Sequence, residues 1–176
     1  MGAESIYRPT GNAMNKTDTI TLARKLRQDD QLEESQRLLF QLMKEYPDDP
    51  LVLFEVGGSF DVLGEERDAI PYYQDAIDNG LADNDLQECL VCLGSSQRVT
   101  GQFADAVDTL EEAVAQFPNN NSGRVFLALA YYSVGRHEDA VRTLLALLLE
   151  TTRDEDISAY SDALDYYKDN LDEVVE

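Results

Sequence analysis

The chain has 176 residues, enough to bury one well-packed core, and its apolar share of 43% is that of an ordinary globular protein. Its charge is unusual: 35 acidic against 14 basic residues give −21, a field that repels phosphate backbones and anionic lipid. Nucleic acid and membrane surfaces are therefore excluded as expected partners. The imbalance falls on residues 51–176, with 26 acids against seven bases, while residues 1–50 are nearly neutral with nine against seven.

Residues 1–15 are small and polar without apolar periodicity, and read as a flexible lead. They include Arg8 and Pro9 but no apolar stretch of the length an export signal needs. The densest apolar run, Leu144–Leu149, falls far short of the roughly 20 residues of a spanning helix. Two cysteines are too few for a secreted disulfide scaffold, so a soluble cytoplasmic protein is expected. Asn15-Lys-Thr17 and Asn120-Asn-Ser122 match the glycosylation triplet and, without a secretory route, are chance matches.

From Lys16 the pattern turns helical, with apolar residues at Ile20, Leu22, Ala23 and Leu26, then at Leu32, Leu38, Leu39, Leu42 and Met43. Pro47 and Pro50 separate this first pair of helices from a second, about Pro50 to Val62 and Glu66 to Asn79. Asn79-Gly80 offers a left-handed cap, and Pro71 lies near enough to the second helix's start for a bend to absorb it. A third pair spans about Asp85 to Val99 and Phe103 to Gln116, a fourth Asn121 to Val134 and His137 to Glu150. From Asp154 one last helix is predicted, with Ile157, Tyr160, Leu164, Tyr167 and Leu171 on a single stripe and acids opposite.

The pairs repeat one another. Gly64-Glu-Glu-Arg-Asp-Ala69, Gly101-Gln-Phe-Ala-Asp-Ala106 and Gly135-Arg-His-Glu-Asp-Ala140 place their alanines at intervals of 37 and 34. Another 34 residues back, Asp30-Gln-Leu-Glu-Glu-Ser35 is a degenerate copy with aspartate for glycine and serine for alanine. A period near 34 marks stacked helix-turn-helix units that cannot bury their apolar faces alone. The expected units are 16–49, 50–84, 85–120 and 121–153, capped by 154–173 within a domain covering 16–176. The three extra residues of the longer interval, between Gly80 and Asp85, should form a longer turn.

These residues resemble the tetratricopeptide repeat. The second unit offers Leu53, Val56-Gly57, Phe60, Gly64, Ala69, Tyr73 and Ala76; the third Leu90, Leu93-Gly94, Gly101, Phe103, Ala106, Leu110, Ala113 and Pro118; the fourth Leu127-Ala128, Tyr131, Gly135, Ala140 and Leu144. Gln97 stands where an aromatic is usual and Arg124 where a large apolar residue is usual. The ending Asp154–Glu173 looks like that of small bacterial members. The resemblance implies an all-α, right-handed α-solenoid of about four repeats plus a C-terminal capping helix. It also implies a concave groove lined by the first helices of the units, exposing Ile20, Arg24, Arg27, Phe54, Gly58, Val62, Val91, Ser95, Arg98, Val99, Val125, Leu129 and Tyr132.

Apolar residues and a few arginines on one face of an acidic molecule make a peptide cradle, so the expected function is non-catalytic protein or peptide binding. Carboxylate-clamp recognition of a chaperone tail is not expected, because only Arg24 among Ile20, Arg24, Gly58, Glu88 and Cys92 fits it. Cys89-Leu-Val-Cys92 keeps open a thiol redox role, against which stands its place inside a helix with no strand before it. A groove closed by a second copy, giving a homo-oligomer, is the other alternative. No metal or cofactor is expected: His137 is the only histidine, placed at a turn, and no calcium loop or phosphate-binding glycine pattern is present.

Overall fold

The computed structural model describes residues 14–174. Of the expected lead only Met14 and Asn15 fall among them, and Asn15 caps the first helix, its side-chain oxygen accepting from the Asp18 N–H at 2.9 Å. Ten helices follow among the described residues, without a strand: α1 Lys16–Gln28, α2 Leu32–Glu45, α3 Pro50–Asp61, α4 Glu66–Asp78, α5 Asp83–Val99, α6 Phe103–Gln116, α7 Asn121–Ser133, α8 His137–Thr151, α9 Glu155–Ser158 and α10 Ser161–Tyr167. The first eight pack as consecutive pairs, each second helix also packing against the first helix of the next pair. The result is an α-solenoid.

Every pair turns through one residue in the left-handed region: Asp30 (φ 60°), Gly64 (76°), Gly101 (87°) and Gly135 (79°). The Gly64 N–H bonds back to the Asp61 carbonyl and the Glu65 N–H to the Phe60 carbonyl, both at 3.0 Å, so the closing carbonyls of the helix are satisfied. Asp30 makes the same two bonds through its own N–H and that of Gln31, in a conformation that aspartate tolerates better than most residues.

Small residues set the distance between paired helices. A Cβ on Gly57 would sit 2.7 Å from the Tyr73 ring, and one on Gly94 would run into the Leu110 side chain. In the fourth pair Ala128 takes this place, almost wholly buried. Tyr73 and Leu110 are themselves fully enclosed, so there is little room for either to give way. Pro71 lies inside α4 but faces solvent, where water can reach the Arg67 carbonyl that it leaves without an N–H partner.

Two features differ from the sequence expectation. The extra residues of the long interval do not lengthen a turn. Four residues separate α4 from α5, as they separate α2 from α3 and α6 from α7, and the insertion is taken up by α5, 17 residues long against 13, 12 and 13 for α1, α3 and α7. Three acids, Asp83, Asp85 and Glu88, lie in its opening turns, and Asp83 and Asp85 favour a helix N-terminus. The C-terminal stripe, for its part, is not one helix. It breaks at Ala159–Tyr160 into α9 and α10, so Ile157 and Leu164 are half-buried while Tyr160, Tyr167 and Leu171 are exposed. In α8 only Ala140 and Leu147 are buried, and the expected cover over Leu144–Leu149 is partial.

Candidate functional site: the concave face

Across repeats α3 packs on α5 and α5 on α7, without comparable packing between the second helices. The stack therefore curves with its first helices on the inner side. Repeat arithmetic puts Arg24, Gly58, Ser95 and Leu129 at one level of that face, with Ile20, Phe54, Val91 and Val125 a turn earlier and Arg27, Asp61, Arg98 and Tyr132 about a turn later. The structure divides these residues into two unlike halves.

The first half is a cleft of about 390 Å³ between α1, α3 and α5. Its floor is Glu55, a buried carboxylate in the otherwise apolar run Leu53-Phe54-Glu55-Val56. Arg24 holds one Glu55 oxygen through Nε at 2.7 Å and through a terminal nitrogen at 2.5 Å, and Arg27 holds the other at 2.9 Å. The hydrogen bond to Glu55 raises the Arg24 pKa above its ordinary value. Gly58 leaves room beside this pair: a Cβ there would lie 3.2 Å from a terminal nitrogen of Arg27. The longer α5 contributes Asp85, 4.0 Å from Arg24, and Glu88 in the cleft wall. Arg24 and Arg27 thus share Glu55 as a partner, and the Arg24 side chain stays 49% exposed.

Deeper in the cleft the Tyr73 hydroxyl donates to Asp61 at 2.9 Å and the Ser96 hydroxyl donates to its other oxygen at 3.2 Å. Burial nonetheless raises the Asp61 pKa above the usual carboxylate range, these two hydrogen bonds offsetting only part of the effect. Cys92 lines the same cleft and Cys89 is buried behind it; both thiols are free. Burial pushes Cys92 up to about 12 and moves Cys89 in the same direction, opposite to what a reactive thiolate requires.

The second half, on α5 and α7, is open and largely apolar. Val99, Val125, Leu129 and Tyr132 are exposed, Tyr132 at 67%. Tyr132 rests against His137, their ring centroids 5.0 Å apart, and that histidine is exposed at the turn. Arg98 is half-buried, its Nε enclosed without a protein partner, and Ser95 is half-buried beside it. Val62 on α3 is exposed and continues the strip.

Three residues expected on the groove surface, Ile20, Phe54 and Val91, are buried, although Phe54 still lines the cleft between α1, α3 and α5. Ile20 joins the core between the first two repeats, Phe54 packs 6.0 Å from the Tyr73 ring, and Val91 lies against the backbone of α7, where a Cβ on Gly123 would be 3.7 Å from it. They form the seams between neighbouring first helices. Glu55 and Asp61 were not singled out from the sequence, although Glu55 carried a signal, as a lone acid among apolar residues one repeat after two arginines. Gln97 is buried, and Arg124 is accommodated by pairing with Glu150 at the end of α8.

Among the described residues no group of histidine, cysteine and acidic side chains is arranged to hold a metal ion, and no helix is long and apolar enough to cross a membrane. The family model described as Tetratrico peptide repeat matches residues 50–171. No match was found among curated proteins. Among solved structures, MamA 41-end from Desulfovibrio magneticus RS-1 is similar with a TM-score of 0.70 at 18% identity, over 90% of this chain and 89% of that one. TPR-like repeats assigned to a Podosopora anserina kinesin light chain align with a TM-score of 0.68 at 20% identity, over 88% of this chain and 90% of that one. At these identities the likeness is one of fold.

Proposed function

Because this chain belongs to the tetratricopeptide-repeat family, we propose that it is a non-catalytic binding scaffold whose concave face holds a segment of a partner protein. The observation that carries this reading is the strip of exposed apolar side chains on the inner face of α5 and α7, Val99, Val125, Leu129 and Tyr132, spaced a helical turn apart. Such side chains cost free energy in water and are anchors when a partner covers them. The ligand we infer is apolar with basic residues. At the cleft two arginines, Arg24 and Arg27, face four acidic side chains, Glu55, Asp61, Asp85 and Glu88, and the whole molecule carries −21. The raised thiol pKa values speak against a redox role for Cys89 and Cys92, and two unpaired thiols fit a reducing compartment such as the cytoplasm.

The test is selection of peptides from a random display library against the full chain, followed by titration of the selected sequences at two salt concentrations. Peptides rich in apolar and basic residues, binding at least tenfold more weakly to Tyr132→Ala and to Leu129→Ala, are expected. Arg98→Glu should leave their affinity unchanged or improve it. Acidic peptides that lose affinity on Arg98→Glu would overturn the charge assignment, and peptides indifferent to both apolar variants would overturn the site.

A further inference from the structure

Three positions recur in the same register of each second helix, and in α4 and α6 they belong to cores shared with the next first helix. In α2 they are Gln36, Leu39 and Met43; in α4 Ile70, Tyr73 and Ile77; in α6 Val107, Leu110 and Val114. Ile70, Tyr73 and Ile77 belong to the core shared with Cys89 and Leu93 of α5, and Val107, Leu110 and Val114 to the core shared with Leu127 and Ala130 of α7. The same positions in α8 are Val141, Leu144 and Leu148, and these are 42%, 43% and 39% exposed. The C-terminal segment does not take the place of a fifth first helix. It is split into a four-residue and a seven-residue helix, and Asp169 ties the region after α10 to Arg142 of α8 at 3.1 Å. α10 packs on α8, yet among the described residues the apolar edge of Val141, Leu144 and Leu148 remains only partly covered.

We propose that this edge is a docking site for an amphipathic helix of a partner protein, apolar toward α8 and basic toward solvent. The edge is built for a helix, because the same three positions of α4 and α6 each receive one, 17 and 13 residues long. Charge selects the kind. Residues 153–173, which border the edge, hold eight acids and two bases, so a helix with lysines or arginines on its outer face is attracted. A second copy of this chain would bring another −21 against the same surface.

The probe is a fluorescent, stapled peptide with the α7 sequence 121–134, in which the positions equivalent to 125, 129 and 132, exposed when α7 lies on α6, carry lysine. A matched peptide carries glutamate there. Anisotropy titration of the full chain should show saturable binding of the lysine peptide, at least tenfold weaker for Val141→Ser and for Leu144→Ser. The glutamate peptide should bind at least tenfold more weakly at low salt, with the difference shrinking as salt is added. Both serine variants replace half-exposed residues, and unchanged helical circular dichroism verifies their fold. Tyr132→Ala should leave this binding unaltered, which separates the edge from the concave face. Failure of the lysine peptide to bind, equal binding to the serine variants, or a dimer in dilute solution that either variant dissolves would overturn the proposal.

Discussion

Gly94→Ala tests the close crossing of α5 and α6. A methyl group there meets Leu110, which is fully buried, so the cost is that of overpacking, about 1–3 kcal/mol. Alanine in place of glycine within a helix returns about 1 kcal/mol, leaving a net loss of about 0–2 kcal/mol. Leu110→Ala alone removes an enclosed side chain and should cost about 2–5 kcal/mol. In the double variant the collision is gone, the helix gain remains and the added methyl fills part of the cavity. Gly94→Ala should therefore change sign, stabilising the Leu110→Ala protein by about 1 kcal/mol. Urea unfolding followed by helical circular dichroism, with equal slopes checked across the four proteins, gives the coupling, expected near 2 kcal/mol. Additive effects within about 0.5 kcal/mol would refute the claim that glycine is required here by Leu110.

Asp30→Gly should raise the urea midpoint, by about 0.5–1 kcal/mol in stability, because Asp30 alone among the four pair-closing residues carries a side chain in the left-handed region; Gly64→Ala should lower it by a similar amount. Asp61→Asn keeps an acceptor for the Tyr73 hydroxyl while removing a charge that burial disfavours. The folded Asp61 pKa is raised, so its contribution is present below the ordinary carboxylate value of 3.8 and lost as pH rises through the folded value. The variant should gain on wild type over that interval and hold a constant advantage above it; an advantage that shrinks with rising pH would contradict the sign. Ala106→Glu puts a carboxylate at a fully buried position and should cost several kcal/mol, read as a large fall in the same midpoint.

What the sequence made legible was periodic. The recurring glycine-to-alanine phrase fixed the helix pairs, and even the degenerate copy at Asp30 adopts the same left-handed turn. The fate of the extra residues was not legible, because Asp83, Asn84 and Asp85 suit a turn as well as a helix N-terminus, and only the constant four-residue spacing between helices reveals which was chosen. The C-terminal stripe misled for a related reason: the spacing of Ile157, Tyr160, Leu164 and Tyr167 says which side would be apolar if the helix were continuous, and says nothing of whether it is. At the candidate site the repeat register named positions on the first helices and carried no information about their depth. Ile20, Phe54 and Val91 are buried, Phe54 while still lining the cleft, and Arg24 and Arg27 pair across helices with Glu55, a contact between α1 and α3 that the spacing of the sequence does not announce.

The most direct measurement of the central claim is methyl NMR of the full chain, with and without a display-selected peptide at saturation. The binding account predicts the largest shifts at Val99, Val125 and Leu129, smaller ones at Val62, and little change at Val52 and Val56, which are buried away from the groove. Shifts confined to methyl groups of α2, α4 and α6, with Val125 and Leu129 unmoved, would contradict it and place binding on the convex side.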